Sequence, residues 1–448
     1  MFKRRSNNGT MERTPGHFSD RIIVFGRYPV PGRTKTRLIP ALGPAGAADL
    51  QRRLTEKTLK TVRAFAGQYG VSTGLCFEGG SAPKIARWIG TGMDLSRQGP
   101  GDLGSRMQAA FTDAFKSGFR RVVLTGTDIP HLGEERLKKA FETLSQNDIV
   151  LGPSSDGGYG LIGLNGPFPL FHDIDWGSAR VCEQTLALAE KGGLDVGLLD
   201  PLDDLDTVDD LRRLQPEAMR LRPYVSVIIP SLNEAKNIEK AVTGAVDLDA
   251  EVLVVDGGST DDTKAKARHA GARVLRGPRG RAVQQNIGAA SARGGVFLFL
   301  HADTRLPAGY VHHVFETLMD PGVALGAFRF KTDWNRPLMR LVEFLTNTRA
   351  RHLKLPYGDQ CLFVRRSLFE SVGGFPEVPI AEDLYLARRL LKEGRVVISP
   401  ACAVTSGRRW QTLGVVRTTL INQIILAGAF FGVVPRLLAP LYRHARGK

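Results

Sequence analysis

Two runs of apolar residues that each lead into an aspartate constrain the fold of this chain more than any other feature. One run, residues 296–300, is followed by Asp303, and the other, residues 122–124, is followed by Asp128. A run this apolar is typical of a strand buried in a parallel sheet. In open α/β sheets, the residues that follow such strands lie at the edge where ligands bind. We therefore predict two α/β domains with mostly parallel sheets, each with an acid at its ligand-binding edge.

The length and charge of the chain limit its class and its partners. Its 448 residues exceed the about 250–300 at which a single core stops growing, which also predicts two domains. The net charge of +16 indicates anionic partners: nucleotides, phosphorylated substrates, nucleic acid or an anionic membrane surface. The four cysteines form no C-x-x-C pair, and the basic start lacks the apolar run of a signal peptide, so we expect a cytoplasmic protein.

The order of the predicted segments divides the chain into four parts. Residues 1–19 are expected to form a disordered tail, and residues 20–220 alternate strand-like and helix-like segments, the pattern of an α/β domain. Pro223 ends the helix before it, because proline disfavours the helical conformation of the preceding residue. A second α/β domain is predicted over residues 221–410, and an apolar, basic helical segment over residues 411–448.

The C-terminal segment permits two interpretations. Its longest apolar run, residues 424–434, is shorter than the about 20 residues that a membrane-spanning helix needs. Basic residues such as Arg417 and Arg436 flank this run, so an amphipathic helix at the anionic inner face of the cell membrane is one interpretation. The other is a helix packed on the domain or in a dimer interface.

Polar residues follow each predicted strand of the second half. Pro230, Asn233 and Glu234 come at or just after the first strand, where they bind a ligand or cap the next helix. Asp256 ends the next strand and is followed by two glycines, which let the backbone approach a ligand closely. Its carboxylate is suited to accept hydrogen bonds from a base or a ribose.

In their order along the chain, these motifs resemble family 2 glycosyltransferases, nucleotide-sugar enzymes of the GT-A fold, over residues 224–410. The resemblance implies that Asp256 contacts the nucleoside of a nucleoside-diphosphate sugar. It also implies that Asp303 holds a divalent cation, Mg or Mn, at the diphosphate. His301 stands where the family has the first acid of its D-x-D motif, so either His301 is a ligand or Asp303 serves alone.

The same resemblance assigns residues on the acceptor side. It places Asp359 and Gln360 in the acceptor-binding segment and implies that Asp383 is the catalytic base. Inverting transfer needs a carboxylate there to take the proton of the acceptor. Arg409 and Trp410 partly match the family's R/Q-x-x-R-W element, which implies contacts with phosphate and acceptor, and a solvated basic turn is the alternative.

The first half carries a different set of motifs. Its first strand is followed by a basic loop suited to hold a triphosphate, or simply solvated, which contains Arg27, Gly32, Lys35 and Arg37. Asp128 follows the third apolar strand, and Asp156 with Gly157 forms a flexible turn at a strand junction. Asp206, in a later acidic stretch, is a candidate to complete a metal site with Asp128.

Residues 20–215 resemble bacterial nucleotidyltransferase-like proteins related to 2-phospholactate guanylyltransferase, also of GT-A-like fold. The fusion of both halves resembles the transferases associated with radical-SAM gene neighbourhoods and labelled as arsenosugar-biosynthesis or 4,4'-diaponeurosporenoate-type glycosyltransferases. The resemblance implies a bifunctional enzyme that uses a nucleoside triphosphate, a nucleoside-diphosphate sugar and a small or lipid-like acceptor. A first domain that only senses nucleotides is the alternative. We expect no nucleic-acid partner, because basic and aromatic residues are not interleaved.

Overall fold

The computed structural model describes residues 19–221 and 223–430, which belong to two compact units. The first unit runs to Pro29 and resumes over Gln51–Asp206, and the second contains Val30–Leu50 and resumes at Thr207. Two stretches lie outside the described residues: residues 1–18 of the predicted tail and residues 431–448 of the predicted C-terminal segment. Two mostly parallel sheets, one in each unit, confirm the predicted α/β class.

The first unit is built on a seven-stranded sheet with the order β3-β2-β1-β4-β6-β5-β7. The strands are β1 (Asp20–Arg27), β2 (Ser72–Glu78), β3 (Asp94–Arg97), β4 (Arg121–Thr125), β5 (Ile149–Pro153), β6 (Tyr159–Leu164) and β7 (Val196–Leu198). The helices are α1 (Ile39–Tyr69), which begins in the second unit, α2 (Ala82–Ile89), α3 (Leu103–Lys116), α4 (Glu134–Thr143) and α5 (Val181–Lys191). The central strands are apolar because helices cover both faces of the sheet.

One connection in this sheet departs from strand–helix alternation. Strands β5 and β6 pair antiparallel and are joined directly by a short turn. Gly157 in that turn has a φ of 88°, and a Cβ there would lie 2.0 Å from the carbonyl oxygen of Ala179. The turn therefore needs glycine both for its conformation and for its approach to the chain before α5.

The second unit is built on an eight-stranded sheet with the order β10-β9-β8-β11-β14-β13-β15-β12. Its strands are β8 (Val225–Ser231), β9 (Ala250–Asp256), β10 (Arg273–Arg276), β11 (Val296–Phe299), β12 (Thr304–Arg305), β13 (Val323–Thr332), β14 (Phe363–Arg365) and β15 (Arg395–Thr405). Its helices are α6 (Val208–Leu214), α7 (Ile238–Thr243), α8 (Thr263–His269), α9 (Arg281–Ser291), α10 (Tyr310–Leu318), α11 (Pro337–Leu353), α12 (Arg366–Ser371), α13 (Glu382–Glu393), α14 (Arg408–Leu413) and α15 (Val415–Phe430).

The order of the central strands brings distant loops of the second unit to one edge. Strands β9, β8 and β11 are parallel neighbours, so their carboxyl ends lie side by side. The residues predicted to bind ligand follow those ends. The two-residue strand β12 pairs antiparallel with the end of β15, with Thr304 opposite Thr405. This pairing places the chain after Asp303 beside the chain that leads to Arg409 and Trp410.

The described part of the C-terminal segment is helical. Helix α15 buries Ile425 against Ile380, close to the start of α13. Within the described ranges, no helix is both long enough and apolar enough to span a bilayer.

Candidate active site

Hydrogen bonds tie the loop after β8 to the loop after β9. Asp256 is buried, and its carboxylate accepts hydrogen bonds from the backbone N–H groups of Gly258 and Ser259 at 3.1 and 3.0 Å. The hydroxyl of Ser259 accepts from the backbone N–H of Asn233 at 2.9 Å. The side-chain oxygen of Asn233 accepts from the backbone N–H of Thr260, also at 2.9 Å. Asp256 and Asn233 therefore shape a double loop at the edge of the sheet.

These contacts exclude the capping of the next helix by Asn233 or Glu234, and ligand binding by these two residues stays a prediction. Helix α7 begins only at Ile238, and no side chain caps it by a hydrogen bond, so neither residue is its cap. Asn233 instead has a left-handed φ of 55°, which its two bonds to the neighbouring loop hold in place. Oε1 of Glu234 lies 3.7 Å from Nη2 of Arg408, and Pro230 lies buried within β8.

A buried glutamine that the sequence did not indicate holds the ends of β8 and β9 together. Nε2 of Gln284, on α9, donates to the carbonyl oxygens of Ser231 and Val255 at 2.9 and 2.7 Å. Both carbonyls belong to the ends of neighbouring strands, so Gln284 fixes the edge from which the loops leave. A single glutamine in a helix carries no sequence signal for this role.

Gly358 is the point at which His301 and Asp383 meet. Its N–H donates to Oδ2 of Asp383 at 2.6 Å. A Cβ built on Gly358 would lie 2.7 Å from Nε2 of His301 and 3.1 Å from Oδ2 of Asp383. The backbone therefore approaches both side chains more closely than a residue with a side chain permits, and the structure brings together an imidazole and a carboxylate predicted from separate motifs.

The two acids at the start of α13 have different partners. Glu382 is buried, and its Oε1 lies 2.8 Å from Nε of Arg281. Oδ1 of Asp383 accepts from the backbone N–H of Leu384 at 2.8 Å, while Oδ2 accepts from Gly358. Glu382 is thus neutralised within the protein, and Asp383 is the acid of this pair that faces His301.

Asp359 places a further carboxylate in the same electrostatic field. Burial raises the pKa of Asp359 to about 6; Arg349 opposes this shift, and the negative charges of Asp383 and Asp303 add to it. Arg349, on α11, lies over the ring of Tyr357 with its guanidinium carbon 3.8 Å from the ring centroid. Its Nε and Nη2 atoms are buried and have no hydrogen-bond acceptor among the described residues. No motif of the sequence indicated Arg349.

Two further residues predicted on the acceptor side, Gln360 and Trp410, are buried. Gln360 is fully buried, and its amide donates to the carbonyl of Phe328 and accepts from the N–H of Tyr357. Trp410 is buried in a cluster with Phe330, Met339 and Val342, and Arg409 precedes it on α14. These contacts favour structural roles for Gln360 and Trp410, and their contacts with an acceptor stay predictions.

Three other aspartates of the first unit act electrostatically on Asp204. Burial raises the pKa of Asp204 to about 6, and the charges of Asp156, Asp206 and Asp128 raise it further. The N–H of Leu205 donates to the carbonyl of Asp128 at 2.9 Å, which holds the acidic stretch beside the end of β4. Asp204 is thus an additional member of the predicted Asp128–Asp206 pair. Its sequence signal, one aspartate among several in a row, does not single it out.

The basic loop is divided between the units. Arg27 ends β1 in the first unit, where its Nη2 lies 2.7 Å from Oε2 of Glu78. Gly32, Lys35 and Arg37 belong to the second unit. Gly32 and Lys35 have positive φ angles of 78° and 44°, and Arg37 lies in a short 3₁₀ turn. That these residues bind the same triphosphate stays a prediction.

We predict that Gly358→Ala lowers kcat/KM for the reaction that the sequence resemblance implies, glycosyl transfer, by about 100-fold, the loss expected when reacting groups are displaced by ~1 Å. The added Cβ must move His301, Asp383 or the turn, since the available distances are 2.7 and 3.1 Å. Steady-state kinetics measure the effect, and Gly295→Ala, where a Cβ meets no atom within 4 Å, is the control. Equal kinetics for both variants would remove this contact from the active site.

Two family models match parts of the chain. Residues 61–178 match the model described as "Uncharacterized protein conserved in bacteria (DUF2064)". Residues 226–373 match "Glycosyl transferase family 2". The second match includes the loops of Asp256, Asp303 and Gly358.

Relatives of known sequence or structure cover parts of the chain. Glycosyltransferase AglE of Haloferax volcanii is 28% identical over 190 residues, 38% of this chain and 62% of that protein. Glucosyl-3-phosphoglycerate synthase of Mycobacterium tuberculosis is 34% identical over 105 residues, 19% of this chain and 31% of that protein. The chain thus spans less than two thirds of either relative.

A solved protein from Desulfovibrio desulfuricans G20, named as a nucleotide-diphospho-sugar transferase, is 35% identical. The match covers 44% of this chain and 86% of that one, with a TM-score of 0.41. The two family models thus match different regions of the chain, and the match to glycosyl transferase family 2, with the similarity to AglE, supports a glycosyltransferase.

Proposed function

We propose that the second unit transfers a sugar, with inversion, from a nucleoside-diphosphate sugar to a hydroxyl or carboxyl group of a small or lipid-like acceptor. The observation that carries this proposal is the meeting of Asp383 with His301 at Gly358, where Asp303 and Asp359 contribute to the same field. His301 follows β11, which is the parallel neighbour of β8, and the loop after β8 contains Asn233, so the double loop of Asn233 and Asp256 offers a place for the nucleoside.

Asp383 is the proposed base. Its two carboxylate oxygens accept hydrogen bonds from the backbone N–H groups of Gly358 and Leu384, and these bonds orient the carboxylate. As the acceptor oxygen attacks the anomeric carbon, Asp383 takes the proton of that oxygen, and the bond from the sugar to the nucleoside diphosphate breaks. Arg281 neutralises the adjacent Glu382 and leaves Asp383 as the carboxylate for this step.

A divalent cation, Mg or Mn, fits the chemistry of the donor side. The described residues contain no group of three or more His, Cys, Asp or Glu side chains already placed to hold a metal ion. The oxygen ligands that such cations prefer are nevertheless supplied by Asp303, with His301 two residues before it. We propose that these two residues hold the cation, which when bound offsets the negative charge of the diphosphate.

The function is tested by incubating the full chain with uridine, guanosine and thymidine diphosphate sugars and Mn²⁺ or Mg²⁺. Because a ligand that binds the folded state raises its stability, the correct donor should raise Tm, and it should release nucleoside diphosphate when an acceptor is present. Absence of both effects across the panel would contradict the proposal.

We further propose that the first unit is a nucleotidyltransferase, which joins a nucleotide to a phosphorylated small molecule and releases pyrophosphate. The electrostatic influence of Asp128, Asp156 and Asp206 on Asp204 supports this, because carboxylate oxygens suit the cation that accompanies a triphosphate. The alternative, a non-catalytic regulator that binds nucleotides, uses the same carboxylates without turnover.

We predict that Asp128→Asn abolishes pyrophosphate release from nucleoside triphosphates and leaves glycosyl transfer unchanged, because the two acid sites belong to different units. Asp383→Asn is the reciprocal control, in which pyrophosphate release persists. Both rates are measured on the full chain with a panel of phosphorylated acids. Triphosphate binding by the wild type without any pyrophosphate release would favour the regulator instead.

A further inference from the structure

Helix α11 carries a row of apolar side chains on its exposed side. Four large side chains, each at least 45% exposed, form this row: Leu338, Leu341, Phe344 and Leu345. Their spacing of three and four residues places them along one face of the helix. The opposite face is packed in the usual way, since Met339 and Val342 are buried in the cluster that contains Trp410. The exposed row therefore takes no part in the packing of this cluster.

Helix α15, which contacts α11, carries a second such row. Val416, Leu420 and Ile424 recur at intervals of four residues and are 70%, 59% and 45% exposed. The other side of α15 is buried through Thr418 and Ile425. We call the seven exposed side chains of the two rows the apolar face.

The exposed charged residues on α11 and α15 and at the ends of these helices have one sign. Exposed basic residues lie on or at the ends of these helices: Arg336, Arg351, Lys354 and Arg417. The single acidic residue within α11 and α15 is Glu343, which is buried and forms an ion pair with Arg340. The two helices thus present exposed apolar and cationic groups without an exposed carboxylate.

The apolar face belongs to helices that also build the acid site. Ile425 and Ile421 of α15 pack against Ile380 and Ala381, the two residues that precede α13 and its Asp383. The same α11 that presents Phe344 places Arg349 over the ring of Tyr357, beside Asp359. A surface bound at the apolar face would therefore be separated from these residues by the helices α11 and α15 themselves.

We propose that the apolar face docks the protein on an anionic lipid bilayer. Exposed Leu, Ile and Phe side chains gain free energy by entering the headgroup region, and each flanking Lys or Arg is attracted to anionic lipid. The absence of exposed carboxylates on these helices matches such a surface. The inference deepens the proposed function, because it makes the acceptor a lipid of the bilayer. Only this choice of acceptor rests on the proposed function, and the binding of the bilayer does not.

The test is co-sedimentation of the full chain with phosphatidylcholine vesicles that contain or lack phosphatidylglycerol. Binding is expected to require phosphatidylglycerol and to weaken with salt. The double variant Leu341→Glu/Phe344→Glu is expected to lower the partition coefficient by about 100-fold, because two apolar side chains no longer enter the interface. The matched control is Val246→Glu/Leu248→Glu, since these residues are 59% and 77% exposed elsewhere in the same unit. This control should bind like the wild type.

Three outcomes would overturn the docking surface. The first is equal sedimentation of the wild type and the Leu341/Phe344 variant. The second is a wild type that elutes as a dimer and a variant that elutes as a monomer, which would assign the face to a second copy. The third is a wild type that does not bind vesicles and a variant of lower Tm, which would show that the face is packed within the folded chain.

Transfer to a water-soluble acceptor separates this inference from the proposed function. The Leu341/Phe344 variant should keep the wild-type rate with such an acceptor, because neither residue belongs to the acid site. Vesicle binding without any glycosyl transfer would contradict the proposed function and leave the docking surface standing.

Discussion

Asp383→Asn is expected to lower the turnover of glycosyl transfer by about 10²–10⁴-fold, the usual loss when a general base is removed. Asparagine has nearly the shape of aspartate, and its oxygen can still accept the N–H of Gly358, so the turn at residue 358 should persist. The amide cannot take the proton of the acceptor. Affinity for the nucleoside diphosphate should remain close to that of the wild type, because the base acts on the acceptor.

Turnover and nucleotide affinity are measured separately, by initial rates and by calorimetric titration. Glu377→Gln, the same change of carboxylate to amide at an exposed position before α13, is the control and should have no effect. A variant Asp383→Asn that keeps more than about a tenth of the wild-type turnover would be incompatible with a general base at this position.

Asp303→Ala is expected to weaken nucleoside diphosphate binding in the presence of Mn²⁺ by at least about 10–100-fold, because the loss of even an outer partner of a metal ligand has an effect of this size. Asp303 follows β11 at the edge where the loops of Asp256 and Asn233 meet, and its carbonyl accepts the N–H of Ser406 at 3.0 Å. That backbone bond survives the substitution, so the loop should keep its course while the carboxylate is lost.

Calorimetric titration with uridine or guanosine diphosphate, with and without Mn²⁺, measures this effect. The wild type should bind more tightly with Mn²⁺, and the variant should lose that difference. Glu239→Ala, which removes an exposed carboxylate from α7 in the same unit, is the control. If Asp303→Ala retains the full Mn²⁺ dependence, another residue holds the cation.

The two α/β sheets could be predicted from the sequence because the signal for a buried strand is local. The apolar runs before Asp128 and Asp303 became β4 and β11, and the run before Asp256 became β9. In each case the burial of five or so neighbouring residues determines the strand, and the polar residue after it marks the edge. The antiparallel direction of β6 was not predictable in this way, because it depends on a turn and on which strand β6 joins.

The partners of the site residues depend on contacts far apart in the sequence. His301 and Asp383 were each predicted from a motif, but their meeting at Gly358 requires β11, the turn at residue 358 and the start of α13 to pack together. Gln284 and Arg349 gave no sequence signal, since a glutamine or an arginine in a helix is ordinary until the strand ends or the ring beside it is known.

The position of a carboxylate in each of these loops was thus determined by the sequence alone, because a carboxylate after an apolar strand is a local pattern. Only the tertiary structure decided what surrounds each carboxylate. The raised pKa values of Asp204 and Asp359 arise from burial and from charges on other segments, which no local pattern contains. The apolar face has the same origin: Leu341 and Phe344 resemble core residues in the sequence, and their exposure follows from the fact that α11 packs through Met339 and Val342 instead.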